Sequence, residues 1–124
     1  MFKNVAGQKI GLFVFDSATN QPKTSISGAL SGYVSIDFGT VTRLNDTTPT
    51  ELNPVTAAGV YVFDLTQAET NGDQLTFTGL STGTIVVAPI THFTLPPSFN
   101  ALSISSNGVK VSTVDENAVF YAVI

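Results

Sequence analysis

An all-β fold, an antiparallel β-sandwich, is the class this chain predicts, and three observations carry it. Val, Ile, Thr, Phe and Tyr dominate the composition, while Lys, Glu, Gln and Met are scarce. The first group suits a pleated, half-buried surface and the second suits helices. The apolar runs are short, and Gly, Pro, Asn, Asp or Ser punctuate them at intervals of roughly ten residues, the rhythm of strands joined by turns. The chain has 124 residues, room for one ordinary domain, and contains no Cys, so its core must hold without disulfides.

Taken in order, residues 8–16 form the first predicted strand. Ile10, Leu12 and Val14 point one way while Phe13 and Phe15 point the other, so both faces want cover. Asp16 to Pro22 reads as a turn rich in Asx side chains. Residues 32–37 and 39–44 predict a hairpin around Asp37-Phe38-Gly39-Thr40, although Phe at a central turn position is unusual. Residues 45–59, with Pro49 and Pro54, read as a long loop holding one short edge strand near Glu51-Leu52.

Residues 60–65 alternate as a strand, with Tyr61 and Phe63 on one side. Thr66-Gln67-Ala68-Glu69 has capping-box spacing, and Asn71-Gly72 stops the helical corner after one turn. Residues 74–79 follow, with Leu75 and Phe77 sharing a face, and then 84–93, interrupted by Pro89 at an edge or a bulge. Six or seven strands is the count of an immunoglobulin-like sandwich, here without the Cys…Trp…Cys hallmark. The domain is therefore placed at residues 1–94.

Leu95-Pro96-Pro97-Ser98-Phe99-Asn100 reads as a stiff linker. Beyond it, residues 101–104, 108–114 and 118–124 predict a short C-terminal β-meander. It is too small to build a core alone. The last six residues are apolar on both faces, and uncovered they would aggregate. Cover by sister chains is preferred over self-burial. The expected oligomer interface is Phe99, Leu102, Ile104, Val109, Val111, Val114, Val119, Phe120, Tyr121, Val123 and Ile124.

Several functions find no support in composition. Net charge is −4, and only Lys3, Lys9, Lys23, Arg43 and Lys110 are cationic, so a nucleic-acid surface is not expected. No run of eighteen apolar residues predicts a membrane span. The first seven residues lack the apolar core of an export signal. The expectation is therefore a chain made in the host cytoplasm.

Chemistry is equally sparse. His92 is the sole histidine and alternates with apolar neighbours in a predicted strand, so no nucleophile–base pair is legible and no enzyme is expected. The carboxylates fall mostly in turns, where Asp serves the backbone. A weak calcium site drawing on Asp16, Asp64 or Asp73 is the alternative reading, and Asp115-Glu116 could flank a cation on a three-fold axis. No phosphate-binding glycine motif is present, and no cofactor or metal is expected. The nine Phe and three Tyr read as core, with an exposed Tyr33 or Tyr61 as an alternative glycan contact.

Four segments carry a family resemblance. They are Asn4-Val5-Ala6-Gly7-Gln8-Lys9-Ile10 running into Phe15-Asp16, Tyr33-Val34-Ser35 leading into Gly39-Thr40-Val41-Thr42, the stretch 59–70 and Pro96-Pro97-Ser98-Phe99-Asn100-Ala101-Leu102-Ser103-Ile104. Together they resemble tailed-bacteriophage virion proteins with an immunoglobulin-like N-terminal domain, of the kind found in baseplate and fibre proteins. The resemblance implies a structural protein on the surface of the particle. Because only about twenty residues follow the junction, the expectation is a compact accessory piece. A trimeric capsid decoration (cement) protein bracing neighbouring major capsid subunits fits this best. The alternative is a tail, baseplate or fibre component whose loops, with Thr47, Thr48, Thr50, Glu51, Ser81 and Thr82, contact a virion partner, a host glycan or a host protein.

Overall fold

A computed structural model describes residues 1–96 of the chain. Nine strands fill this part: β1 (Lys9–Asp16), β2 (Gln21–Pro22), β3 (Ser31–Ile36), β4 (Val41–Arg43), β5 (Thr50–Asn53), β6 (Ala57–Asp64), β7 (Gln74–Leu80), β8 (Ile85–Ala88) and β9 (Ile90–Phe93). Two short 3-10 turns, Ser27–Ala29 and Ala68–Thr70, are the helical elements among them. The strands form two antiparallel sheets. One runs β2-β1-β6-β5 with β8 on the other edge of β1, and the second runs β4-β3-β7-β9. The fold is an all-β sandwich, as the composition predicts.

Alternation sets the core. Ile10, Leu12 and Val14 of β1 and Tyr61 and Phe63 of β6 face Val34 of β3 and Leu75 and Phe77 of β7. Burying each such side chain is worth about 1.5–3 kcal/mol relative to leaving it exposed. Leu30, Leu44 and Leu65 close the ends of this slab from the connections. Gly32 lies under the slab with no room for a side chain: a Cβ there would stand 2.7 Å from both Leu44 and Phe63.

Four sequence expectations change. The predicted strand 84–93 is two strands in different sheets, because Pro89 has no N–H to extend a ladder. The chain leaves the edge of β1 at Ala88 and joins β7 at Ile90. The long loop 45–59 shrinks: β5 is the expected edge strand, but β6 begins already at Ala57, and the Asn53 carboxamide ties the turn by accepting from Val55 and Thr56 N–H at 2.8 and 2.9 Å. Part of the 16–22 turn pairs with the end of β1 as β2. Leu95, placed in the linker, is tied into the domain through Lys3 N–H to Leu95 O at 2.7 Å and Leu95 N–H to Met1 O at 2.9 Å.

The expected C-terminal meander lies outside the described residues. So do all the predicted interface positions from Phe99 to Ile124, together with Lys110 and the Asp115-Glu116 pair.

Candidate functional site

The outer surface of the five-stranded sheet is the feature with no role inside the fold. Pairing registers place Phe15 between Val86 and Pro22, Phe13 between Ala88 and Val60, and Gly11 beside Val62, with Val62 opposite Thr50. Paired residues share a face, so these side chains form one apolar field across four strands. Phe13 is 42% exposed and Val86 50%. Lys9 and Asp64, paired across the strands and joined by an ion pair, close the field at one end. The expectation that both faces of β1 want cover is thus half met: Ile10, Leu12 and Val14 are buried, while Phe13 stands open to water.

The opposite outer surface has another character. On the four-stranded sheet Tyr33 pairs with Thr78 and Arg43, and Ser35 with Thr76, which in turn pairs with Thr91. The Thr76 and Thr91 hydroxyls share a hydrogen bond of 2.9 Å. This face also carries exposed apolar side chains, Val41 opposite Ser35, Phe93 opposite Gln74 and Leu80 at the end of β7, each on a different strand, whereas on the other sheet Phe13, Val86 and their cross-strand neighbours lie side by side.

The residues singled out from sequence are scattered. Thr47 and Thr48 lie beside Asp46, whose carboxylate accepts from Asp64 N–H at 2.9 Å. Ser81 and Thr82 lie at the other end of the sandwich, where Ser81 Oγ donates to Ala29 O and Ser17 N–H to Thr84 O. These two groups cannot form one contact surface. Thr50 is on the edge strand β5 rather than in a loop. Glu51 is occupied internally: its carboxylate accepts from Ser25 N–H at 3.2 Å and sits 3.3 Å from the Tyr61 hydroxyl.

Tyr61 is fully buried, which removes it as a glycan contact, and its hydroxyl donates to Lys23 O at 2.8 Å. Burial pushes the Tyr61 phenol up, with the Glu51 carboxylate adding to it. His92 packs edge-on against Phe77, ring centroids 6.0 Å apart.

The three acids of the calcium alternative are not gathered. Asp64 pairs with Lys9, Asp73 with Lys3 at 3.1 Å, and Asp16 Oδ1 accepts the Thr84 hydroxyl at 2.6 Å. That hydroxyl, helped by Ala18 N–H, holds the Asp16 carboxyl below the usual carboxylate range. Among the described residues no three of His, Cys, Asp and Glu come together as a metal centre, and no buried side-chain polar atom lacks a hydrogen-bond partner.

Phe13, Val60, Val62 and Val86 are not among the contact residues expected from the sequence. The available signal was the alternation of β1, which puts two aromatics, Phe13 and Phe15, on the side away from the core-filling Ile10, Leu12 and Val14. Comparison with protein-family models, curated proteins and solved structures yields no match.

Proposed function

We propose that this chain is a non-enzymatic structural protein of a tailed-phage particle, a trimeric decoration protein that braces neighbouring capsid subunits. The observation that carries the reading is the apolar outer field around Phe13. A solvated sandwich gains nothing from two large aromatics on an outer face. A protein whose task is to bury surface against other proteins does. The phage setting rests on the sequence resemblance alone. The described side chains are engaged in packing, turns and surface ion pairs, which suits bracing without chemistry.

In this reading residues 101–124 tie the three copies together while the sandwiches contact the shell. Particles carrying the chain, mapped by electron cryomicroscopy, should show it on the head where shell subunits meet. Density at the tail tip would move the assignment to the fibre or baseplate alternative, and a chain missing from purified particles would overturn both. Phe13→Lys should leave the domain folded by circular dichroism and lower its retention on particles.

A further inference from the structure

The chain enters and leaves the described domain side by side. Phe2 and Leu95 form a parallel bridge outside the two sheets, with Lys3 N–H donating to Leu95 O at 2.7 Å and Leu95 N–H to Met1 O at 2.9 Å. Neither segment is held by deep burial. No residue of 1–8 or 94–96 is buried, although Met1 leans on the core. Hydrogen bonds do most of the holding, and their partners can be named.

Two side chains supply many of them. The Gln8 carboxamide stands in for a neighbouring strand: Oε1 accepts Phe2 N–H at 2.7 Å, and Nε2 donates to Phe2 O at 2.8 Å and to Val5 O at 2.9 Å. Thr70, fully buried in the capped corner, takes the next stretch of the arm. Its Oγ1 accepts Val5 N–H at 2.9 Å and lies 3.0 Å from Val5 O, and Thr70 O accepts Asn4 N–H at 3.0 Å. The same corner holds the exit. Asp73 O accepts Thr94 N–H at 3.0 Å, while the Asp73 carboxylate pairs with Lys3.

Backbone shape separates this arm from the sheets. Asn4 (φ 61°) and Gly7 (φ 81°) are left-handed, and the ladder of β1 with β6 starts just beyond them at Lys9. Glycine adopts such a φ freely and Asn tolerates it, so the arm bends at these two points without disturbing β1.

We propose that residues 1–7 are a latch on the exit of the domain: the arm and residues 94–95 open together, as one unit, while the sandwich stays folded. Lys3 and Leu95 share their bonds, so neither segment leaves without unpairing the other. Opening gives up hydrogen bonds but uncovers little apolar surface, which places it at the low end of local unfolding energies. The closed latch fixes the point from which the chain continues past residue 96. The coupling is reciprocal: a partner that captures the arm frees the exit, and one that captures the exit frees the arm. This is a property of the single chain and stands apart from the phage reading.

Amide exchange of the full-length chain, followed by NMR in a series of low urea concentrations, tests the latch. The N–H groups of Lys3, Asn4, Val5, Thr94 and Leu95 should share one opening equilibrium with little urea dependence, while the paired amides of β1, β6 and β7 should need a larger opening that steepens with urea. Thr70→Val keeps the shape of the side chain and removes its hydroxyl. It should speed exchange at Val5 and Leu95 by a common factor of at least about ten. The chain has no cysteine, so Phe2→Cys with Leu95→Cys can close the latch covalently without altering the corner. Oxidised, this variant should exchange at Asn4 and Val5 at least about tenfold more slowly than the same variant reduced. Leu95 exchanging only with the core strands overturns the proposal. So does a response to Thr70→Val at Val5 that Leu95 does not share, or a disulfide that leaves Val5 unchanged.

Discussion

Tyr61 and Asp16 show how single polar groups act in a chain with so few charges. The Tyr61 hydroxyl holds the strand-free segment after β2 by donating to Lys23 O, and Ile26 N–H points back at it from 3.3 Å. Burial raises its pKa above the ordinary phenol value, so the folded state favours the neutral form. The stability this contributes is complete below the unfolded phenol pKa of about 10 and is lost as pH rises through the higher folded value. Urea midpoints taken from pH 8 to 11 should fall for the wild type and fall less for Tyr61→Phe. At neutral pH that variant should be about 1–3 kcal/mol less stable, because Lys23 O loses its donor.

Asp16 has the opposite sign. Its carboxyl is lowered by the Thr84 hydroxyl and Ala18 N–H, so its contribution is present above the unfolded carboxylate range and vanishes as pH falls through the folded value. Asp16→Ala should lose less stability than wild type in that acid window, read by the same titration. Glu51 teaches a different point. As an edge-strand acid it reads as a contact group, and only the approach of Ser25 and Tyr61 shows that it is used inside.

Among the elements, the short ones depend on side chains that close them. Glu69 Oε1 accepts Thr66 N–H at 2.9 Å while Thr66 Oγ1 accepts Glu69 N–H at 3.3 Å, the reciprocal box read from sequence. What the spacing could not reveal is the second oxygen, which accepts Asn45 N–H at 2.7 Å and so fixes the connection from β4 to β5 as well. Glu69→Ala should therefore cost more than an ordinary cap, about 2–3 kcal/mol by chemical denaturation, since two part-buried N–H groups lose their partner. In β6, Gly59 has φ +83°, and a Cβ there would stand 2.6 Å from Val14 O. Gly59→Ala should lower the melting temperature by several degrees, as about 1–2 kcal/mol of left-handed strain adds to the clash.

At the scale of the whole molecule the two outer faces differ in how their apolar side chains are grouped. Threonines and isolated apolar side chains such as Val41, Leu80 and Phe93 share the outer face of the four-stranded sheet, while Phe13, Val86 and their partners form one field on the other. A double substitution on the apolar field, Phe13→Lys with Val86→Lys, should leave the core intact, because both side chains point away from Leu12, Val14 and Val87. The folded domain should keep its melting temperature to within a few degrees and bind less of a hydrophobic dye such as ANS. A collapse of the fold would mean that the face is part of the core.

The strand class, the core stripe of Ile10, Leu12, Val14, Tyr61, Phe63, Leu75 and Phe77, and the capped corner at Thr66 were legible from the chain alone. Each rests on neighbours two to four residues apart, and periodicity reports such neighbours directly. Sheet membership was not legible. Pro89 signals an interruption, but that β8 and β9 belong to different sheets depends on which distant strand pairs with each. The loops holding Thr47 and Ser81 looked alike in composition, and only strand direction sends them to opposite ends. The apolar field arises in the same way: Phe13, Val60 and Val86 are far apart in sequence, and long-range pairing alone makes them one surface.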